Sequence, residues 1–163
     1  TSDMATPRTT STASRKKMLT TPKADVSTRE MEPSSTRSRA VSTDVCVPIS
    51  RLADCIAETV ADIAESHLTA PLVGHVGDGN FHVQMLVDPN DPADIARAEA
   101  VNERMVTRAI DMQGTCTGEH GVGLHKMGFL VDEAGAGAVD MMRTIKRALD
   151  PKNIMNPGKI FAL

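Results

Sequence analysis

The sequence predicts an α+β fold of the ferredoxin-like type. In this fold, strands and helices in the order βαββαβ form one antiparallel sheet with both helices on one face, here followed by a C-terminal helix and tail. Asp78-Gly79, between alternating apolar residues, indicates a tight β-hairpin. Two stretches with apolar residues at helical spacing flank this hairpin, and a short β-type stretch, 115–117, follows the second.

The first 38 residues differ in composition from the rest. They are mostly Ser, Thr, Pro and charged residues, and so contain too little apolar surface to offset the entropy lost on folding. We therefore expect a disordered low-complexity leader over 1–38 and a folded domain over 39–163. The leader is mildly basic but has no aromatic residue to stack on bases, so the sequence does not favour nucleic-acid binding.

Cysteine usage and hydropathy bear on the cellular compartment. Cys46, Cys55 and Cys116 are odd in number and lack C-x-x-C spacing, as expected of reduced thiols. No apolar run approaches the roughly 20 residues of a membrane span. We expect an intracellular protein, mitochondrial if its source is eukaryotic and otherwise cytoplasmic.

The folded part begins with a β-branched strand near 43–49. Ser50 is predicted to cap the first helix. Its apolar stripe consists of Leu52, Ile56, Val60 and Ile63. His67 is expected to cap the end of this helix.

The predicted hairpin joins strands at about 70–76 and 80–87. A type I′ turn at Asp78-Gly79 places Val76 opposite Phe81 and His75 opposite His82, with Cβ atoms roughly 5 Å apart on one face of the sheet. The opposite face is predicted to be the core side and carries Leu72, Val76, Phe81, Val83, Met85 and Val87.

The second helix is predicted to start at Asp91-Pro92, an N-cap followed by proline at the first helical position. Helical spacing of apolar residues continues until Gly114. A short strand at 115–117, a glycine-rich stretch at 118–123 and a final helix at about 136–149 follow. The apolar stripe of this final helix comprises Ala138, Met141, Met142, Ile145, Ala148 and Leu149.

The face of the sheet without helices carries the candidate site. Two histidines, His75 and His82, point there, and Glu119 follows the fourth strand. Two His and one Glu form a common open metal site. Because the fourth strand lies at the sheet edge, the loop after it must curl over the face for Glu119 to reach them. The alternative is a hydrogen-bonded pair of histidines without a metal.

Other polar residues are assigned weaker roles. Asp78 and Asn80 are expected to serve the turn, and Cys116 to fill space rather than act as a nucleophile. His125 and Lys126 are expected to be solvated, with contact to an anionic substrate as the alternative. The glycines at 74–79 and 118–123 do not form G-x-G-x-x-G, so a Rossmann site is disfavoured. They would instead allow a large flat or anionic group to approach the backbone.

Three motifs together resemble a known family. They are Gly-His-Val-Gly-Asp-Gly-Asn-Phe-His (74–82), Gly-Glu-His-Gly-Val-Gly (118–123) and Leu-Asp-Pro-Lys-Asn-Ile-Met-Asn-Pro-Gly-Lys (149–159). In this order and spacing they are similar to the C-terminal cap domain of FAD-linked 2-hydroxy acid dehydrogenases and oxidases. That flavoprotein family includes cytochrome-type D-lactate dehydrogenase, the glycolate oxidase FAD subunit and D-2-hydroxyglutarate dehydrogenase. The sequence around 43–50 and 74–82 resembles cytochrome-type D-lactate dehydrogenase most.

The resemblance implies roles for particular residues. His75, His82 and Glu119 would ligate a divalent metal, zinc or manganese. His120 would be the general base, and Asn156 would lie near the FAD. The implied activity is that of an oxidoreductase, the oxidation of a small D-2-hydroxy acid with hydride transfer to FAD, and D-lactate to pyruvate is the favoured reaction.

The chain also departs from the family pattern. The FAD-binding domain that precedes this region in family members is missing here, so 39–163 would be a partial cap domain, a C-terminal fragment expected to be inactive alone. Two alternatives stay open. One is a non-catalytic metal-binding or interaction module that has lost its FAD domain, and the other is a metal-dependent hydrolase.

Overall fold

The computed structural model describes residues 38–163, which form a mixed α+β structure as predicted. The leader predicted for 1–38 lies almost entirely outside the described residues. In chain order the elements are β1 (Arg39–Cys46), α1 (Ile49–Ser66), β2 (Leu72–His75), β3 (Asn80–Val87), α2 (Pro92–Asp111), α3 (Leu130–Ala134) and α4 (Ala136–Leu149).

The three strands form one antiparallel sheet in the order β1-β3-β2. The predicted fourth strand is reduced to a single bridge between Thr115 and Cys46, on the outer side of β1. After this bridge the chain turns over the sheet, because the N–H groups of 118–120 bond to the Asp44 side chain instead of to a strand. Only β3 is therefore central, as the βαββαβ order predicts, whereas β1, also predicted to be central, lies at the sheet edge beside the single Thr115 bridge.

Helices α1 and α2 cover one face of the sheet and enclose the core. The fully buried side chains of the sheet include Val45, Phe81, Val83 and Met85, and α2 contributes Val101, Met105, Val106 and Ala109. Asp91 caps α2 as predicted, since its carboxylate accepts the N–H of Ala93 at 2.9 Å.

Helix α1 starts two residues earlier than predicted. Pro48 occupies the N-cap position and Ser50 lies inside the helix, so the predicted cap is wrong. Pro48, with φ fixed near −50°, already directs the chain into the first turn. Val60, which was predicted to belong to the buried stripe of α1, is exposed, and Cys55 and Thr59 are buried instead. His67 ends the helix with a φ of 57°, as predicted.

The hairpin differs from the predicted type I′ turn. Residues Val76–Asp78 form a 3₁₀ turn, and within this loop only Gly79 has positive φ, at 74°. His75 therefore pairs with Asn80, not with His82, and Val76 is exposed rather than in the core. Because the register is shifted by an even number of residues, His75 still shares a face with His82.

The C-terminal region contains α3, the predicted α4 and a tail. Val139 is the buried residue of α4, whereas Met141, Ile145 and Leu149 of the predicted stripe are 67%, 53% and 75% exposed. The N–H of Ile160 donates to the carbonyl of Gly123 at 2.8 Å and so connects the tail to the glycine-rich loop. Within residues 38–163, no helix has the length and apolar content needed to cross a bilayer.

Candidate metal and catalytic site

The site lies on the sheet face opposite the helices. His82 is on the central strand β3, between Asp44 of β1 and Val73 of β2 in the register. Since side chains alternate along a strand, His82 and Asn80 point away from the core that Phe81 and Val83 enter.

The loop after the Thr115 bridge curls over this face and brings Glu119 to both histidines. The Oε1 atom of Glu119 lies 3.0 Å from Nε2 of His82 and 3.8 Å from Nε2 of His75. The rings of His75 and His82 have centroids 5.5 Å apart. The three side chains each offer one ligand atom, and these atoms lie within 4.8 Å of one another. The structure thus brings the predicted trio together, and Asp44, His82 and His120 form a second group of this kind around the same His82.

His120 borders the same cluster. Its ring centroid is 5.0 Å from that of His82, and its Nε2 lies 4.0 Å from Oε1 of Glu119. Its Nδ1 lies 3.6 Å from Oδ1 of Asp44, and its side chain is partly exposed. A small molecule held by the trio would therefore lie within reach of an imidazole that does not itself belong to it.

Asp44 is a central residue that sequence reasoning missed. It is fully buried and accepts the N–H groups of Gly118, Glu119 and His120 as well as hydrogen bonds from Lys126. Burial alone would raise the pKa of Asp44, but the bonds from Lys126 and from the backbone of Glu119 and His120 outweigh it. They hold the pKa well below its usual range. An acidic residue inside a β-branched strand was the available signal.

Lys126 is buried, whereas the sequence analysis predicted that it would be solvated. Its Nζ donates to Oδ1 of Asp44 at 2.7 Å and also to the Asp44 carbonyl. The prediction failed because a lysine after a glycine-rich loop has no local pattern that marks a distant buried carboxylate. His125, next to it, is exposed as predicted.

Asn80 forms the floor of the site beneath the loop. It is the first residue of β3 rather than part of the turn, and it is buried. Both polar atoms of its amide lack a hydrogen-bond partner among the described residues. A Cβ on Gly118 would lie 1.5 Å from Nδ2 of Asn80, so the loop can approach this closely only with glycine there.

Two predicted residues lie elsewhere. Asn156 is an exposed tail residue with a φ of 49°, and its predicted role near FAD stays a prediction. Cys116 is buried, and its N–H donates to the Glu133 carboxylate. Burial and Glu133 raise the pKa of the Cys116 thiol to about 12, which agrees with the predicted packing role and not with a nucleophile.

Comparisons with known proteins agree with the resemblance. The family model for the C-terminal domain of FAD-linked oxidases matches residues 4–160, a range that begins well before the predicted domain start at residue 39. A probable mitochondrial D-lactate dehydrogenase from Danio rerio is 52% identical over 125 residues, 77% of this chain and 25% of that protein.

Two further relatives come from a plant and a bacterium. The mitochondrial D-lactate dehydrogenase [cytochrome] of Arabidopsis thaliana is 47% identical over 121 residues, 74% of this chain and 21% of that protein. The glycolate oxidase subunit GlcD of Bacillus subtilis is 38% identical over 120 residues, 73% of this chain and 25% of that protein. The chain thus spans about a quarter of the length of these relatives. It belongs to the family of FAD-linked oxidase C-terminal domains.

Proposed function

We propose that this chain contributes the metal-binding and proton-accepting part of a flavin-dependent dehydrogenase that oxidises a D-2-hydroxy acid, with D-lactate as substrate and pyruvate as product. One observation carries the proposal: two imidazoles and a carboxylate converge at one point with a further imidazole, His120, beside them. The names of the relatives support the choice of D-lactate.

The residues present fit a divalent metal ion. Two neutral imidazoles and a carboxylate suit zinc or manganese and leave further coordination positions open. The unpartnered amide of Asn80 also indicates that this polar floor is built to face another polar group. A metal bound by His75, His82 and Glu119 would act as a Lewis acid toward the hydroxyl and carboxylate oxygens of the substrate.

His120 is proposed as the general base. Its imidazole is partly exposed and borders the metal-binding trio, so that it can approach the hydroxyl of a molecule held there. Imidazole is the side chain used most often as a general base in enzymes. Asp44 lies on the Nδ1 side of the ring, with its Oδ1 atom 3.6 Å from Nδ1.

FAD is the second proposed cofactor, and it supplies the acceptor for the hydride from C2 of the substrate. This chain would add Asn156 near the flavin, while a FAD-binding domain, absent from these 163 residues, would provide most of the FAD site. The exposed apolar residues of α4 support a packing surface for such a domain. The names of the Danio and Arabidopsis relatives support a mitochondrial location.

Binding of D-lactate to the Mn²⁺-loaded chain tests the proposal. The electron paramagnetic resonance spectrum of the bound Mn²⁺ is expected to change on addition of D-lactate, because the substrate oxygens would replace water on the ion. His67→Asn is the matched control and should behave like the wild type, because His67 is an exposed C-cap of α1 that belongs to neither possible metal-binding group and Asn tolerates its positive φ.

Two results would count against the proposal. One is a Mn²⁺ spectrum that D-lactate leaves unchanged at millimolar concentration. The other concerns the flavin: because these residues match only the C-terminal domain of FAD-linked oxidases, the purified 163 residues should not retain FAD after desalting or reduce a dye with D-lactate. A yellow, active preparation would contradict the proposed division of roles between the two domains.

A non-catalytic metal-binding or interaction module is the second candidate. The observation in its favour is the exposed apolar face of α4, which suits a protein partner as well as a catalytic domain. This candidate predicts metal binding without any response to D-lactate. The same spectra therefore separate the two functions.

A further inference from the structure

The Asp44 carboxylate lies directly beneath the loop that carries Glu119 and His120. Its Oδ2 atom accepts the N–H groups of Gly118 and Glu119 at 2.7 Å each, and that of His120 at 3.2 Å. Three successive N–H groups thus point at one oxygen. Such concave arrangements of backbone N–H groups bind anions, and here the anion is part of the protein.

The other oxygen of Asp44 is bound from the same segment. Oδ1 accepts from Nζ of Lys126 at 2.7 Å and from the hydroxyl of Thr117 at 3.2 Å. All these donors belong to 117–126, while Asp44 belongs to β1, beside His82 in the register. One carboxylate on β1 therefore fixes the whole loop over the sheet.

This arrangement fixes the backbone positions of Glu119 and His120. Glu119 and His120 each donate their own N–H to Asp44, and from there the Glu119 carboxylate reaches 3.0 Å from His82. We propose that Asp44 is a positioning residue that holds Glu119 as a metal ligand and His120 as the base. This inference rests on the proposed function, since it concerns the same site.

The chain contains a matched control at the end of α4. Asp150 is also buried and accepts two backbone N–H groups, those of Ile154 and Met155, as well as a hydrogen bond from Lys146. The chemistry repeats that of Asp44, but the loop it holds carries none of the residues assigned to the metal or to the base. Asp150→Asn removes a smaller set of bonds of the same kind, from a carboxylate that is not part of the site.

The experiment compares Asp44→Asn with Asp150→Asn in the full chain by two readouts. The first is titration with Co²⁺, whose visible absorption reports both affinity and coordination geometry. We expect Asp44→Asn to weaken binding by at least about tenfold and to change the spectrum, as substitutions behind metal ligands do. Asp150→Asn should bind Co²⁺ like the wild type.

The second readout is hydrogen exchange of the loop amides, which does not depend on a metal. In the wild type the N–H groups of Glu119 and His120 should exchange slowly, and Asp44→Asn should accelerate their exchange by at least about tenfold. Fast exchange in the wild type, or unchanged exchange in a folded Asp44→Asn chain, would overturn the inference. If Asp44→Asn does not fold, the wild-type amides alone decide.

The two readouts also separate this inference from the proposed function. If the wild-type chain binds no Co²⁺, the metal site fails, while the exchange rates still decide whether Asp44 holds the loop. If Asp44→Asn frees the loop but binds Co²⁺ with wild-type affinity and spectrum, Asp44 does not position the site and the inference is wrong.

Discussion

At the scale of single residues, His82 is where the site converges. Its side chain is 9% exposed, whereas those of His75 and Glu119 are 61% and 54% exposed. His82 is fixed in a central strand, so it can serve as the rigid member of a ligand set whose other two members adjust to an ion. Rigid placement of one ligand limits the entropy that metal binding must remove.

Two glycines in the loop beside His75 give opposite predictions. At Gly79 an added Cβ would lie 2.0 Å from the carbonyl oxygen of Val47, and φ is 74°, so Gly79→Ala should lower the free energy of unfolding by roughly 2 kcal/mol or more. At Gly77 an added Cβ meets nothing within 4 Å. Urea denaturation should therefore find Gly77→Ala within about 0.5 kcal/mol of the wild type, and equal effects at both positions would contradict the loop structure.

At the scale of elements, the interplay between β1 and the loop over 117–126 shapes the site. Helical and strand periodicity depends on neighbours in sequence, which is why α2, α4 and the strands β1 and β3 were predictable. The truncation of the fourth strand was not predictable, because it depends on hydrogen bonds that Asp44 accepts from N–H groups more than 70 positions away. The motifs predicted that His75, His82 and Glu119 would come together. They did not predict the contact between Asp44 and Lys126, because no local pattern marks it.

The α1–α2 contact provides a pH-dependent prediction. Burial of Asp62 would raise its pKa, but bonds from Arg108 and Arg104 outweigh burial and lower it. A lowered folded-state pKa stabilises above the unfolded value of about 3.9, and that stabilisation is lost as the pH falls through the folded value. Asp62→Asn should thus cost about 1 kcal/mol at pH 7 and progressively less below about pH 4.

Asp54→Asn is the matched control for this measurement. Asp54 is 69% exposed and lies 3.9 Å from the nearest Arg51 nitrogen, so its replacement should leave the unfolding free energy unchanged at either pH. Denaturation curves at several pH values decide the matter. A cost of Asp62→Asn that is the same at pH 7 and pH 2 would show that the ion pair is not its origin.

At the scale of the whole molecule, residues 38–163 combine a buried core with an exposed apolar surface on α4. The core between the sheet and helices α1 and α2 is mostly aliphatic, includes Phe81 and is well buried, whereas Met141, Ile145 and Leu149 of the α4 stripe are exposed. The chain spans about a quarter of the length of its relatives. A surface of this kind is consistent with the proposed contact to a FAD-binding domain.

Substitutions on α4 test whether that stripe is a surface. Replacing Met141, Ile145 and Leu149 together with Gln should change the unfolding free energy by less than about 1 kcal/mol, because all three are exposed. Val139→Ala, on the buried side of the same helix, should cost about 2 kcal/mol. Thermal and urea unfolding distinguish them, and a triple variant as unstable as Val139→Ala would mean that the stripe is packed within this chain.

The central claim is that His75, His82 and Glu119 bind one divalent metal ion, and a calorimetric titration of the purified chain with Zn²⁺ and with Mn²⁺ tests it most directly. We predict one site per chain for the wild type and for His67→Asn, and loss of that site both in His82→Ala and in His75→Ala, because His75 belongs to this trio and not to the group of Asp44, His82 and His120. Unchanged metal binding in a folded His82→Ala or His75→Ala chain would contradict the claim.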